Sequence, residues 1–167
     1  MADRQGLLTL AAELRQEVAN LERIAAEAAE TWGKREAVAP EERRTYVKST
    51  ALELHNFYTA AERIFEHVAG DLNGALPRTQ DRHLRLLRTM AVEVPEVRPA
   101  VLAPEMVERM AEYLRFRHLV RNIYGFELDE ERMAPLAARV EETARELVSQ
   151  VEGLADYMER MGHELAE

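Results

Sequence analysis

The stretch Arg115-Phe-Arg-His-Leu-Val-Arg-Asn-Ile-Tyr-Gly-Phe-Glu-Leu-Asp129 departs from the plain amphipathic pattern of the rest of the chain. Three arginines, a histidine, an asparagine and a tyrosine sit between large apolar residues. At about 100° per residue, Met106, Met110, Tyr113, Phe116, Val120 and Ile123 form one apolar face. Arg117 and Tyr124 fall within the arc of that face, and Arg121 lies at its margin. His118 and Asn122, four apart, share its flank. An arginine aimed at an apolar seam is costly unless it is paired or open to a cleft. Two readings are open. Arg117 and Arg121 pair with carboxylates of a neighbouring helix and snorkel at the core edge, or they form a cationic site for phosphate, a task suited to the planar guanidinium fork.

Working outward, Pro104 opens this helix and Gly125 is its natural stop. Asp129 is a good N-cap for the next helix, with Glu130 and Glu131 favourable in a first turn. Pro135 lies too deep for that start, so the last helix begins with a separate turn or kinks there. Beyond it Leu136, Val140, Ala144, Leu147, Val151, Leu154, Met158, Met161 and Leu165 give a long seam. Upstream, Leu7 to Trp32 alternates steps of three and four, a bundle seam over 5–32. A second helix begins near Pro40, with Val47, Ala51, Leu54, Tyr58, Ala61, Phe65 and Val68 as its seam, and Gly70-Asp-Leu-Asn-Gly74 reads as its terminating turn. His55, Thr59 and Glu62 share a face of that helix, flanked by Asn56 and Arg63. They form either a structural polar cluster, with Glu62 or Glu66 pairing an arginine, or a second wall of the cleft. A short helix over about 79–90, capped by Thr79 or Asp81, carries Arg82, His83, Arg85 and Arg88, and 91–103 reads as an extended connector. The expected fold is all-α: an antiparallel bundle of four long helices plus a short one, in a single domain over 1–167.

The totals narrow the chemistry. The chain has no cysteine, which excludes disulfides and thiolate metal sites and fits a reducing cytoplasm. The five histidines are scattered without metal-ligand spacing, so no metal or cofactor is expected. No run reaches the roughly 20 apolar residues that span a bilayer. The net charge of −9 argues against non-specific nucleic-acid binding over the whole surface. Two stretches have the opposite local sign, Arg78–Arg88 and Arg109–Arg121.

Arg117, four residues, position 122, one residue and Tyr124 reproduce the spacing of a ribonuclease motif, Arg-x4-His-x-Tyr, of the HepT branch of the HEPN superfamily. The segment Phe116 to Asp129 resembles HepT-like proteins with a doubled Arg-His and a Tyr-Gly-Phe-Glu-Leu tail. Leu54-His-Asn-Phe-Tyr-Thr59 and Arg98-Pro-Ala-Val-Leu102 are similar to the same group, so the resemblance covers roughly 45–160. It implies an HEPN-like homodimer whose paired motifs line an RNA cleft. It further implies a toxin of a two-gene toxin–antitoxin module, a metal-independent endoribonuclease in which a ribose 2′-hydroxyl attacks and a cyclic phosphate is left. The implied partner is a minimal nucleotidyltransferase antitoxin that transfers AMP to the motif tyrosine. Carried over, Arg117 polarises the scissile phosphate and Tyr124 is the AMPylation candidate.

The departure is at Asn122, where the motif has histidine. Asparagine donates a hydrogen bond but cannot exchange a proton near neutral pH. Three readings stay open: His118, one turn back, takes over the proton; the cleft binds without cutting; or position 122 carries a disabling substitution. The leading expectation assigns catalysis to Arg117, His118 and Asn122, and substrate contact to Arg121, Arg115, His55 and Asn56. The alternative is a catalytically inactive HEPN-type module that binds protein, nucleotide or RNA.

Overall fold

Among residues 3–72, 81–122 and 128–165, which the computed structural model describes, six helices form, one more than expected because the final seam is divided. They are α1 (Arg4–Lys34), α2 (Pro40–Leu72), α3 (Arg82–Thr89), α4 (Pro104–Asn122), α5 (Glu130–Ala138) and α6 (Val140–Glu164). Among the described residues the only β pairing is a single bridge, Val94 to Arg98. Every seam residue of α1 from Leu7 to Trp32 is buried, as are Val47 to Val68 along α2 and Leu136 to Met158 along α5 and α6. Burying each valine, leucine, phenylalanine or methionine of these seams is worth about 1.5–3 kcal/mol. Asp3 caps α1, accepting from Gly6 N at 2.8 Å.

The seam of α1 packs on α2 and α6 of the same chain, its two most extensive partners. It runs antiparallel to both. Thr31 donates to Glu53 near one end of the α1–α2 pair, and Glu13 faces His67 near the other. Arg15 binds Asp156 and Glu159 of α6, and Leu8 lies against Gly162. α4 runs against α6, with Arg109 paired to Glu146 and Arg139 to Glu112. It crosses α2 where Phe57 meets Tyr113 edge-on, ring centres 5.0 Å apart.

Three expectations change. α2 continues through Gly70 to Leu72, so the turn expected at 70–74 does not begin at Gly70; Asn73 and Gly74 lie outside the described residues. α3 is shorter than 79–90, with Asp81 at its N-cap position but making no side-chain cap bond; Thr79 is outside the described residues. The connector 91–103 is folded back rather than extended. Arg98, only 2% exposed, donates to the carbonyls of Thr89 (3.0 Å), Val92 (2.9 Å) and Pro99 (3.0 Å). The guanidinium thereby caps the C-terminus of α3, where carbonyls lack intrahelical partners and a positive charge is favoured. Val101 and Leu102 both donate to Met90 O, which closes the turn.

The final seam divides into α5 and α6. Asp129 caps α5 as expected, accepting from Glu131 N at 3.0 Å and Arg132 N at 3.4 Å. Arg35 and Arg43 both bind Glu130, fastening the start of α5 to the α1–α2 junction. Pro135 lies inside α5, and the break comes later, at Arg139. There the Tyr113 hydroxyl donates to Leu136 O at 2.9 Å. In a continuous helix that carbonyl would accept from Val140 N. A tertiary hydrogen bond thus fixes the point of division. Tyr113→Phe is expected to lower stability by about 1 kcal/mol, read as a lower urea midpoint with unchanged slope.

Candidate active site

α2, α3 and α4 converge on a buried polar cluster. Arg117 on α4 is 3% exposed, and Glu62 on α2 is 7% exposed. Arg117 Nη1 donates to Glu62 Oε1 at 3.2 Å. The other carboxylate oxygen, Oε2, lies 2.8 Å from His83 Nδ1 of α3. Arg117 Nη2 is 3.1 Å from the same nitrogen. A neutral imidazole nitrogen is donor or acceptor, not both. Donation to the carboxylate is the charge-assisted choice; Nε2, 3.4 Å from Arg82 Nε, then accepts in the neutral ring and donates in the protonated one. Beneath the guanidinium lies Tyr58, its ring centre 5.0 Å from Arg117 Cζ. Burial and the Glu62 charge push the Tyr58 phenol well up, so it stays neutral. Neither Tyr58 Oη nor Arg117 Nε has a hydrogen-bond partner among the described residues.

His118 stands above this cluster at the surface. Its ring is edge-on to His83, with centres 5.8 Å apart and planes at 67°. Partial burial of the ring, then the positive charges of Arg117, His83 and Arg121, lower its pKa below the usual histidine value, against an opposing pull from Glu62. His118 is therefore mainly neutral at pH 7, the state in which an imidazole takes up a proton. Arg121 is exposed in the last turn of α4. On α3, Arg82, Arg85 and Arg88 are exposed at three-residue spacing beside His83.

Arg115, Asn56 and His55 do not join this group. Arg115, two positions from Arg117, points to the opposite side of α4, into a groove with Phe116, Leu119, Arg132 and Pro135. Asn56 is exposed and lines a groove between α1 and α2 with Asn20, Arg23, Glu27 and Arg63. His55 Nδ1 contacts Asn56 Oδ1 at 3.4 Å. Asn122 ends α4; its side chain, like Tyr124, lies outside the described residues. Glu13, His67 and Asp71, from α1 and α2, bring possible metal-donor atoms within 4.8 Å of one another. His67 and Glu13 are only partly covered, and the grouping is a surface ion pair apart from the Arg117 cluster.

Glu62 and His83 stand out in the sequence, but their meeting with Arg117 does not. The signal was there in part, as a carboxylate expected to pair an arginine. A family model described as HepT-like protein matches residues 49–158, most of the chain from α2 to α6. The chain belongs to the HepT-like family of the HEPN superfamily. The match contains all of the cluster and leaves out α1, so in this HepT-like protein the first helix supports the matched region from one side. No curated protein and no solved structure matches the chain. No helix among the described residues is long and apolar enough to cross a membrane.

Proposed function

We propose that this HepT-like chain is the toxin of a toxin–antitoxin pair, a cytoplasmic, metal-independent endoribonuclease that works as a homodimer. The observation that carries the reading is His118: an imidazole whose pKa is lowered by partial burial and then by the cations around it, one turn before the altered motif position. A neutral imidazole takes the proton of a ribose 2′-hydroxyl, and the oxygen attacks the adjacent phosphorus. Arg117, Arg121 and the α3 arginines supply positive charge where the phosphorane gains negative charge. Arg117 acts from beneath, its guanidinium held by Glu62. The partner is a minimal nucleotidyltransferase, with Tyr124 as the AMP acceptor.

The test is cleavage of a single-stranded RNA oligonucleotide by the protein in EDTA, with His118→Ala and Asn122→His alongside. The expected result is a 2′,3′-cyclic phosphate product and a loss of about 10²–10⁴-fold in His118→Ala. The rate is expected to hold as pH falls to about 6.5, the ordinary histidine value, and to drop only below it, because His118 titrates lower than that. Stability moves in the same direction. The folded chain binds fewer protons at His118 than the unfolded chain, so stability decreases as pH falls through and below the ordinary histidine range. No cleavage by either the protein or Asn122→His overturns the reading.

Asn122 favours a second reading, in which the cleft binds RNA, nucleotide or the nucleotidyltransferase and does not cut. Cleavage that appears only in Asn122→His supports it.

A further inference from the structure

Strand cleavage by a 2′-hydroxyl needs two proton transfers. A base takes the proton of the attacking oxygen, and an acid gives one to the departing 5′-oxygen. Position 122 supplies neither. We infer that His83 is the second proton carrier, so that α3 and α4 each bring one imidazole to the same phosphate. The inference rests on the ribonuclease reading above and deepens it.

His83 has the placement this role needs. Its side chain is 17% exposed, enough to touch a substrate and covered enough to be held. The ring centres of His83 and His118 are 5.8 Å apart, so oxygens of one phosphate lie within the hydrogen-bond reach of about 2.6–3.2 Å from both rings. The groups facing His83 are Glu62 from α2, Arg117 and His118 from α4, and Arg82 from its own helix. Glu62 Oε2, 2.8 Å from Nδ1, fixes the ring and its tautomer and makes Nε2 the exchanging atom. Glu62 is in turn fixed through its other oxygen by Arg117. Glu62 and Arg117 are positioning residues in this scheme.

The step balances. His118 starts neutral and His83 protonated. The 2′-oxygen loses its proton to His118 and forms a bond to phosphorus. The bond from phosphorus to the 5′-oxygen breaks, and that oxygen takes the proton from His83 Nε2. The products are a 2′,3′-cyclic phosphate and a 5′-hydroxyl. Solvent exchange returns the two imidazoles to their starting states. Arg82, Arg85 and Arg88, exposed along α3, lead the phosphate backbone to the pair in a chain that is otherwise strongly acidic.

The test compares two RNA oligonucleotides in EDTA across acid, neutral and alkaline pH, using the full chain, His83→Gln and His118→Ala. One carries an ordinary 5′-oxygen at the scissile position; the other carries 5′-sulfur, a leaving group that departs without an acid. With the ordinary substrate, His83→Gln is expected to lower kcat by about 10²–10⁴-fold, with KM little changed. With the 5′-sulfur substrate, His83→Gln recovers to near the parent rate and His118→Ala does not. A structural role for His83 would give no such selective recovery. The parent protein is expected to give the same answer without any substitution, with rate lost at alkaline pH on the ordinary substrate and retained on the 5′-sulfur one. Full activity of His83→Gln on the ordinary substrate, or an alkaline limb unchanged by sulfur, overturns the assignment of His83 and leaves the ribonuclease reading standing. Absence of cleavage by the parent protein overturns the assignment of His83, and absence of cleavage by Asn122→His as well overturns the ribonuclease reading with it.

Discussion

Glu62→Leu is expected to lower the thermal midpoint by roughly 6–20 °C, the product of a pair-breaking cost and the midpoint shift per kcal/mol. The substitution keeps most of the side-chain volume and removes the only carboxylate bonded to Arg117 among the described residues. Arg117 has 4% of its side chain exposed, so water cannot replace the lost partner. Removing one member of a buried pair typically costs about 3–5 kcal/mol, and each kcal/mol shifts the midpoint by about 2–4 °C for a chain of this size. The double substitution Glu62→Leu, Arg117→Met separates charge from packing. Exchanging a whole buried pair for apolar residues is often neutral, so the double variant should melt well above Glu62→Leu. A double variant as unstable as the single one would show that α2, α3 and α4 are held by shape at this point rather than by charge.

Arg98→Met is the second large effect, and it acts through the connector. The guanidinium serves the carbonyls of Thr89, Val92 and Pro99. Burial pushes its pKa below the usual arginine range, yet arginine remains protonated in proteins. Methionine fills a similar space and offers no donor. Each buried carbonyl left without a partner costs about 1–3 kcal/mol, and partial rehydration limits the sum, so a loss of about 3–5 kcal/mol is expected. Hydrogen exchange locates it: the amides of Val101 and Leu102, which donate to Met90 O, should lose protection before those of α1 and α6. Arg98→Lys should recover part of the stability, because an ammonium donates but cannot fork. Unchanged protection at Val101 and Leu102 would mean that the turn is held by its own backbone bonds.

The helices that each bury one stripe were legible from their residues. α1, α2 and α6 have seams at steps of three and four, and those seams are buried as far as Met158, beyond which Met161 is half-buried and Leu165 exposed. α4 was only half legible. Its face from Met106 to Phe116 is buried, but so are Val107, Ala111 and Leu114 on another side, and a helix covered on two sides loses its simple period. Asp129 announced a helix start, while the division at Arg139 depends on Tyr113, which lies 23 residues before Leu136. Arg98 was invisible as a cap, since an arginine between prolines reads as solvated connector. For the site, the chain order displayed Glu62, His83 and Arg117 as three separate ionisable groups. Only the packing of α2, α3 and α4 brings them to one point.

The clasp of α1 on α6 also sets an order of events during synthesis. Arg15 lies 141 residues from Asp156 and 144 from Glu159, so this contact is among the last the chain can make. At about 5–20 residues per second, α1 waits on the order of ten seconds with part of its seam uncovered, while α2 to α5 emerge and gather around Arg117. Long-range closure of this kind slows folding and leaves an interval in which an apolar helix face is open to another nascent chain or to a chaperone. The helix outside the family match is therefore the element whose docking closes the fold.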